Sequence, residues 1–134
     1  MRKNASNTDV LHHSKPAYYS YRFLHWIFAA LPIFAGIDKY AGRFVDWERY
    51  VAPQIPNLVN MTATSFLPIA GAFEVLTGLI LLVTPRVGSH LLGAWLVLIT
   101  INLLVLGDFS MAAKVFSLFL GTWALSRLSK TYDR

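Results

Sequence analysis

The chain contains no cysteine, which excludes disulfides, thiolate metal sites and an intrinsic thiol relay. Charge is scarce too: 14% of its 134 residues are charged, against about 25% in an ordinary soluble domain. No Walker motif, dinucleotide fingerprint, HExxH zinc pair or serine nucleophile elbow is present, so the chain carries no catalytic motif of its own. The net charge of +5 does not indicate nucleic acid, because the basic residues flank apolar segments and form no continuous patch. That arrangement is the topogenic one of membrane proteins. An internal repeat of the kind that builds many carriers is also missing.

What the chain has instead is apolar sequence, 55% of its residues, with a mean hydropathy of +0.48. These residues are bunched into runs of roughly 17–21, the length that crosses a bilayer. The fold expected is an all-α integral membrane four-helix bundle, with spans over 22–40, 66–83, 89–106 and 111–128. A polar tail over 1–21 and a short basic tail over 129–134 flank it. The first apolar stretch starts only near Arg22 and runs into Asp38-Lys39, which does not fit a cleaved signal peptide. Pro32 predicts a kink in the first span. Between the first two spans, Phe44, Trp47 and Val51 share a side, predicting a short amphipathic helix in the headgroup layer that Pro53 and Pro56 end. The turn Thr84–Gly88 is short enough to impose an antiparallel hairpin. Lys and Arg concentrate at both termini and in the 84–89 turn, which predicts cytoplasmic termini and an external 41–65 segment.

The stretch GAFEVLTG, Gly71 to Gly78, places Glu74 on one helical face with both glycines. Glu74 lies roughly 12 Å into its span at about 1.5 Å per residue, close to the midplane. A charge at that depth costs about 2.5–3.5 kcal/mol on insertion scales, so Glu74 is expected to face the bundle interior. Asp38, Lys39, Asp108 and Lys114 are expected near the outer ends of their spans, with Asn102 a turn deeper. Together they predict a polar funnel that opens outwards and ends at Glu74. Lys114 is the expected partner of Glu74, since it shares a stripe with Ser117, Gly121 and Ala124. Lys39 is expected to snorkel towards the surface.

The functional expectation is a pocket for a polar head such as a quinone carbonyl, or a proton route through Glu74. The plainer one is that these groups lock helix register, with Glu74 protonated or salt-bridged. His25 and His90 lie a turn inside the same membrane face and form a two-residue candidate set for haem, although nothing else marks a haem pocket. His12-His13 in the tail is a weaker metal candidate, since adjacent tail histidines ordinarily bind none. In the third span, Gly93, Thr100 and Gly107 share one face while Trp95 and Asn102 share the roughly opposite one. Two contact faces suggest a homo-oligomer or a partner subunit, in addition to the lipid bilayer.

The segments Ala35-Gly36-Ile37-Asp38-Lys39 and Gly71-Ala72-Phe73-Glu74-Val75-Leu76-Thr77-Gly78, followed by a turn with Arg86, resemble a known family. They are similar to the AG-x-x-K and G-x-x-E-x-x-x-G segments of DoxX-like proteins, small four-span bacterial membrane proteins. The family name comes from the membrane subunit associated with thiosulfate:quinone oxidoreductase. The resemblance implies a four-helix bundle in the bacterial inner membrane and a redox-linked subunit that contacts quinone or a redox partner. Glu74 would then be proton acceptor or head-group ligand. The alternatives are a non-catalytic accessory subunit of a larger membrane complex and, with less support, a small-molecule carrier.

Overall fold

The computed structural model describes residues 15–132, and the statements below concern these residues. Four long helices carry the fold: α1 (Lys15–Ala41), α3 (Ala63–Val83), α4 (Pro85–Leu106) and α5 (Phe109–Tyr132). Between α1 and α3 lie a 3-10 turn at Trp47–Tyr50 and a single helical turn, α2 (Gln54–Asn57). All four long helices are long and apolar enough to cross a membrane, so the chain is a multi-pass membrane protein. They run alternately up and down, with α1 packed on α3, α3 on α4, α4 on α5 and, more lightly, α5 on α1.

Several boundaries differ from the sequence reading. Helix α1 begins at Lys15, so residues 15–21 belong to the bundle and not to a tail. The cause is packing, since Tyr21 is buried and stacks on Tyr132 at 5.6 Å between ring centroids. The same contact keeps α5 helical to Tyr132, well past Leu128. His12 and His13 lie outside the described residues. Helix α1 continues unbroken through Pro32. The α3–α4 reversal is tighter than five residues: α3 ends at Val83 and Pro85 already opens α4, where its missing N–H costs nothing. That proline also deprives the Leu81 carbonyl of its helical donor, and His25 Nε2 supplies one at 2.8 Å.

Of the amphipathic helix expected after α1, only a short surface turn forms. Only four residues, Trp47–Tyr50, make a 3-10 turn, and Trp47 is drawn towards the bundle. Pro53 and Pro56 do not terminate a helix; Pro53 leads into the single turn α2 and Pro56 sits buried within it. At the other connection, Gly107 takes a left-handed φ of 88° and Asp108 accepts the Met111 N–H at 3.1 Å, so one helix is ended and the next capped within two residues.

The helices pair tightly because small residues meet at their crossings. A Cβ added to Gly36 would lie 2.5 Å from the Gly71 carbonyl oxygen, and one added to Gly71 would lie 2.7 Å from that of Gly36. Near the end that carries the termini, Gly88 rests against the Leu81 backbone and Gly121 against the Phe28 ring. Around these contacts a core of Tyr21, Phe28, Ala29, Leu81, Leu92, Leu96 and Leu125 closes the bundle. The opposite half, towards the 42–62 connection, is wider and holds a cavity. Replacing Gly36 with alanine forces two backbones apart and should lower stability by about 1–3 kcal/mol, the usual cost of overpacking, read as an earlier thermal transition in detergent.

Candidate functional site

Glu74 faces the interior, 3% exposed, and its partner is Lys39. Lys39 Nζ lies 2.8 Å from Oε2 and 3.0 Å from Oε1. The pairing follows from helix geometry, because side chains lean towards the N-terminus of their own helix. In antiparallel α1 and α3 this sends Lys39 down towards the bundle centre and Glu74 up to meet it. Gly71 makes the room, since the Lys39 Cβ passes directly over it, 3.2 Å from where its own Cβ would stand. Lys39 therefore does not snorkel outwards. Lys114, expected as the partner, is exposed on α5. Its stripe lies beside the buried face of that helix, which is made by Ala112, Thr122, Leu125, Ser126 and Ser129.

Two tryptophans that the sequence reading gave no site role complete the arrangement. Trp95 of α4 donates its indole N–H to Glu74 Oε1 at 2.8 Å. Trp47 lies with its ring face 3.7 Å from Lys39 Nζ, a close cation–π contact. The Trp47 indole N–H in turn donates to Asp38 Oδ2 at 2.8 Å. Trp95 was visible in sequence as a mid-span indole one heptad from Asn102, a residue whose N–H must find an acceptor when buried. Trp47 had no such signal, because a tryptophan between spans ordinarily anchors in headgroups.

Asp38 and Asn102 fasten the connection. Consecutive helix residues point about 100° apart, so Asp38 turns to the connection while Lys39 turns to α3. Gly42, at φ 60°, folds the chain back. Asp38 then accepts the backbone N–H groups of Arg43, Phe44 and Val45 at 3.1–3.2 Å. Asn102 holds the far side, donating to the Tyr50 carbonyl at 2.6 Å and accepting the Ala52 N–H at 2.9 Å. Asp108 caps α5 and does not join the cluster.

The polar funnel expected from the sequence is replaced by two spaces. The larger is a cavity of about 560 Å³ whose wall is apolar except where Lys39, Glu74, Asn102 and the ring-bearing Trp47, Trp95 and Tyr50 reach it. The smaller, about 320 Å³, is bounded by residues 42–48 with Lys39 and Leu67, on the side of the connection. Lys39, Val45, Trp47 and Leu67 line both.

The two histidines do not converge on one ligand. His25 is buried, with Nε2 on the Leu81 carbonyl and Nδ1 3.4 Å from Arg22. His90 is exposed, with Nδ1 on the Arg86 carbonyl. No group of three or more metal-binding side chains occurs among the described residues. The two faces of α4 are both used within the chain: Gly93 packs on Thr122 and Phe119 of α5, while Trp95 and Asn102 serve the site.

Breaking a buried ion pair from one side is costly. Lys39→Met should destabilise the folded protein by about 3–5 kcal/mol because it strands the Glu74 carboxylate. Glu74→Gln strands the Lys39 ammonium, but the amide oxygen still accepts from Lys39 or Trp95 and the Trp47 face still covers the ammonium. It should therefore cost less in the same thermal-unfolding series. Asn102→Leu should leave the helices intact but raise amide exchange across residues 47–55, which its two hydrogen bonds hold.

Comparison with known proteins finds no family model, no curated protein and no solved structure that matches this chain.

Proposed function

We propose that this membrane protein is a DoxX-like, redox-linked subunit that holds the head of a quinone beside Glu74, with both termini on the cytoplasmic side. One observation carries the reading, a largely apolar cavity of about 560 Å³ whose wall includes a buried ion pair. That volume falls within the range of about 300–1,000 Å³ that ligand sites occupy, and apolar walls with a few convergent polar groups are their usual chemistry. A carboxylate offers about four acceptor positions. Lys39 and Trp95 take two on Oε1 and Lys39 one on Oε2, which leaves Oε2 able to accept from a ring hydroxyl. Lys39 can donate to a ring carbonyl by releasing the Trp47 face. A proton accepted at Glu74 lies one side chain from the smaller space on the connection side, because Lys39 borders both. The orientation rests on Arg22, Arg86, Arg127 and Lys130 at the end that carries the termini.

The internal hydrogen bonding of the cluster favours a second reading, in which it braces α1, α3, α4 and the connection within a larger complex and binds nothing. Tryptophan fluorescence separates the two. The chain has four tryptophans, and Trp26 and Trp123 are exposed at 56% and 58%. Replacing those two with phenylalanine leaves Trp47 and Trp95, both at the site. A ring quinone should quench that signal saturably, and Glu74→Gln should weaken the binding about tenfold, equivalent to one hydrogen bond to a charged group. Quenching that never saturates, or that is identical in Glu74→Gln, assigns the cluster to the brace.

A further inference from the structure

The openings of the cavity decide what can reach Glu74. At the connection end, the chain lies across the bundle and is fastened twice, by the four hydrogen bonds Asp38 accepts and the two Asn102 makes. The smaller space on that side shares Lys39, Val45, Trp47 and Leu67 with the wall of the cavity. The flanks are different. Helices α1 and α5 meet where Phe28 lies on Gly121 and where Tyr18 and Tyr21 contact Tyr132, all in the half that carries the termini. Beyond Phe28, Leu31, Pro32 and Ala35 of α1 and Met111, Val115 and Leu118 of α5 line the cavity. Leu31 and Leu118 are also exposed on the outer surface, at 44% and 40%. On α4, Leu98 and Ile101 also line the cavity and are exposed, at 58% and 48%. What sets the α3–α4 flank apart is a bar at the depth of the ion pair: the Phe73 and Trp95 rings lie 4.9 Å apart, and Trp95 is bonded to Glu74.

We propose that the α1–α5 flank is a lateral portal, through which an amphiphile dissolved in the bilayer brings a polar ring to Glu74 and Lys39 while its apolar chain runs out between the two helices. This rests on the head-group site proposed above and adds the class of molecule that fills it. The occupant's chemistry follows from the wall. Lys39 and Glu74 are its two charged side chains, and the part from Leu31 to Phe28 and Leu118 is apolar. The eleven helical steps from Phe28 to Lys39 span about 16 Å at about 1.5 Å per step, room for a ring and the first units of a chain. The remainder of a long chain has lipid on the far side of Leu31 and Leu118. A water-borne ligand with the same head would have to release both fastenings of the connection, whereas a lipid-borne one passes only apolar side chains.

The test uses the full chain in proteoliposomes and a quinone carrying a photoreactive diazirine in the second unit of an isoprenoid chain. Irradiation followed by peptide mapping should place adducts on residues 31–35 of α1 and 111–118 of α5, and unlabelled quinone with the same chain should compete them away. Leu118→Trp, on an exposed position, should reduce the adduct yield about tenfold without changing the thermal transition. In parallel, a tail-less dimethoxybenzoquinone is titrated against Trp47 and Trp95 fluorescence. Competed adducts on α3 and α4 instead, or adducts spread evenly over the lipid-facing surface, overturn the portal; saturable quenching by the tail-less ring would then leave the head-group site standing. Absence of both competed adducts and quenching removes the site and the portal together.

Discussion

The ion pair between Lys39 and Glu74 is the contact on which the arrangement of this bundle turns. Each charge alone would be expensive at this depth, and each is tolerable because the other is within 3.0 Å and further groups share the load. Trp95 satisfies one carboxylate oxygen, and the face of Trp47 covers the ammonium. Because these partners come from α1, α3, α4 and the connection, one charged pair fixes the relative depth of four segments. The close contact of Gly36 with Gly71 is its steric counterpart, since the lysine can reach the glutamate only where the two backbones almost touch.

From that contact the molecule divides into two unequal halves. Near the termini, rings and aliphatic side chains fill the space between the helices, and the closing contacts are again small against large, Gly121 under Phe28 and Gly88 on Leu81. Towards the connection the pairs α1–α3 and α4–α5 stand apart, and the space between them is roofed by backbone held from below by Asp38 and from the side by Asn102. A polar roof, a charged pair beneath it and largely apolar walls form an environment suited to a molecule with the same division along its length. The proposed quinone site and its lateral portal follow from this gradient of polarity. No single residue type would indicate them.

Much of this was legible in the sequence. Four spans, the short hairpin between the second and third, and the inward direction of Glu74 follow from run length, loop length and the cost of a charge in hydrocarbon. The helix ends were less legible, because Tyr21 on Tyr132 and His25 on the Leu81 carbonyl are contacts between residues more than fifty positions apart. Lys39 was seen but aimed wrongly. Depth judged from its place in the chain puts it at the outer end of its span, whereas the tilt of its side chain carries the ammonium inwards. Lys114 shares a stripe with small residues, but of that stripe Gly121 meets Phe28 of another helix while Lys114, Ser117 and Ala124 are exposed.

By itself, then, the amino-acid order determined that this chain crosses a bilayer four times and that one acid must be hidden from lipid, because both are matters of transfer free energy along a single helix. Which cation meets that acid, which indoles complete the cluster and where the interior stays hollow were decided only in three dimensions. The reason is that such choices depend on how closely two backbones can approach and on which way side chains lean once they do. Neither quantity is a property of one segment read alone.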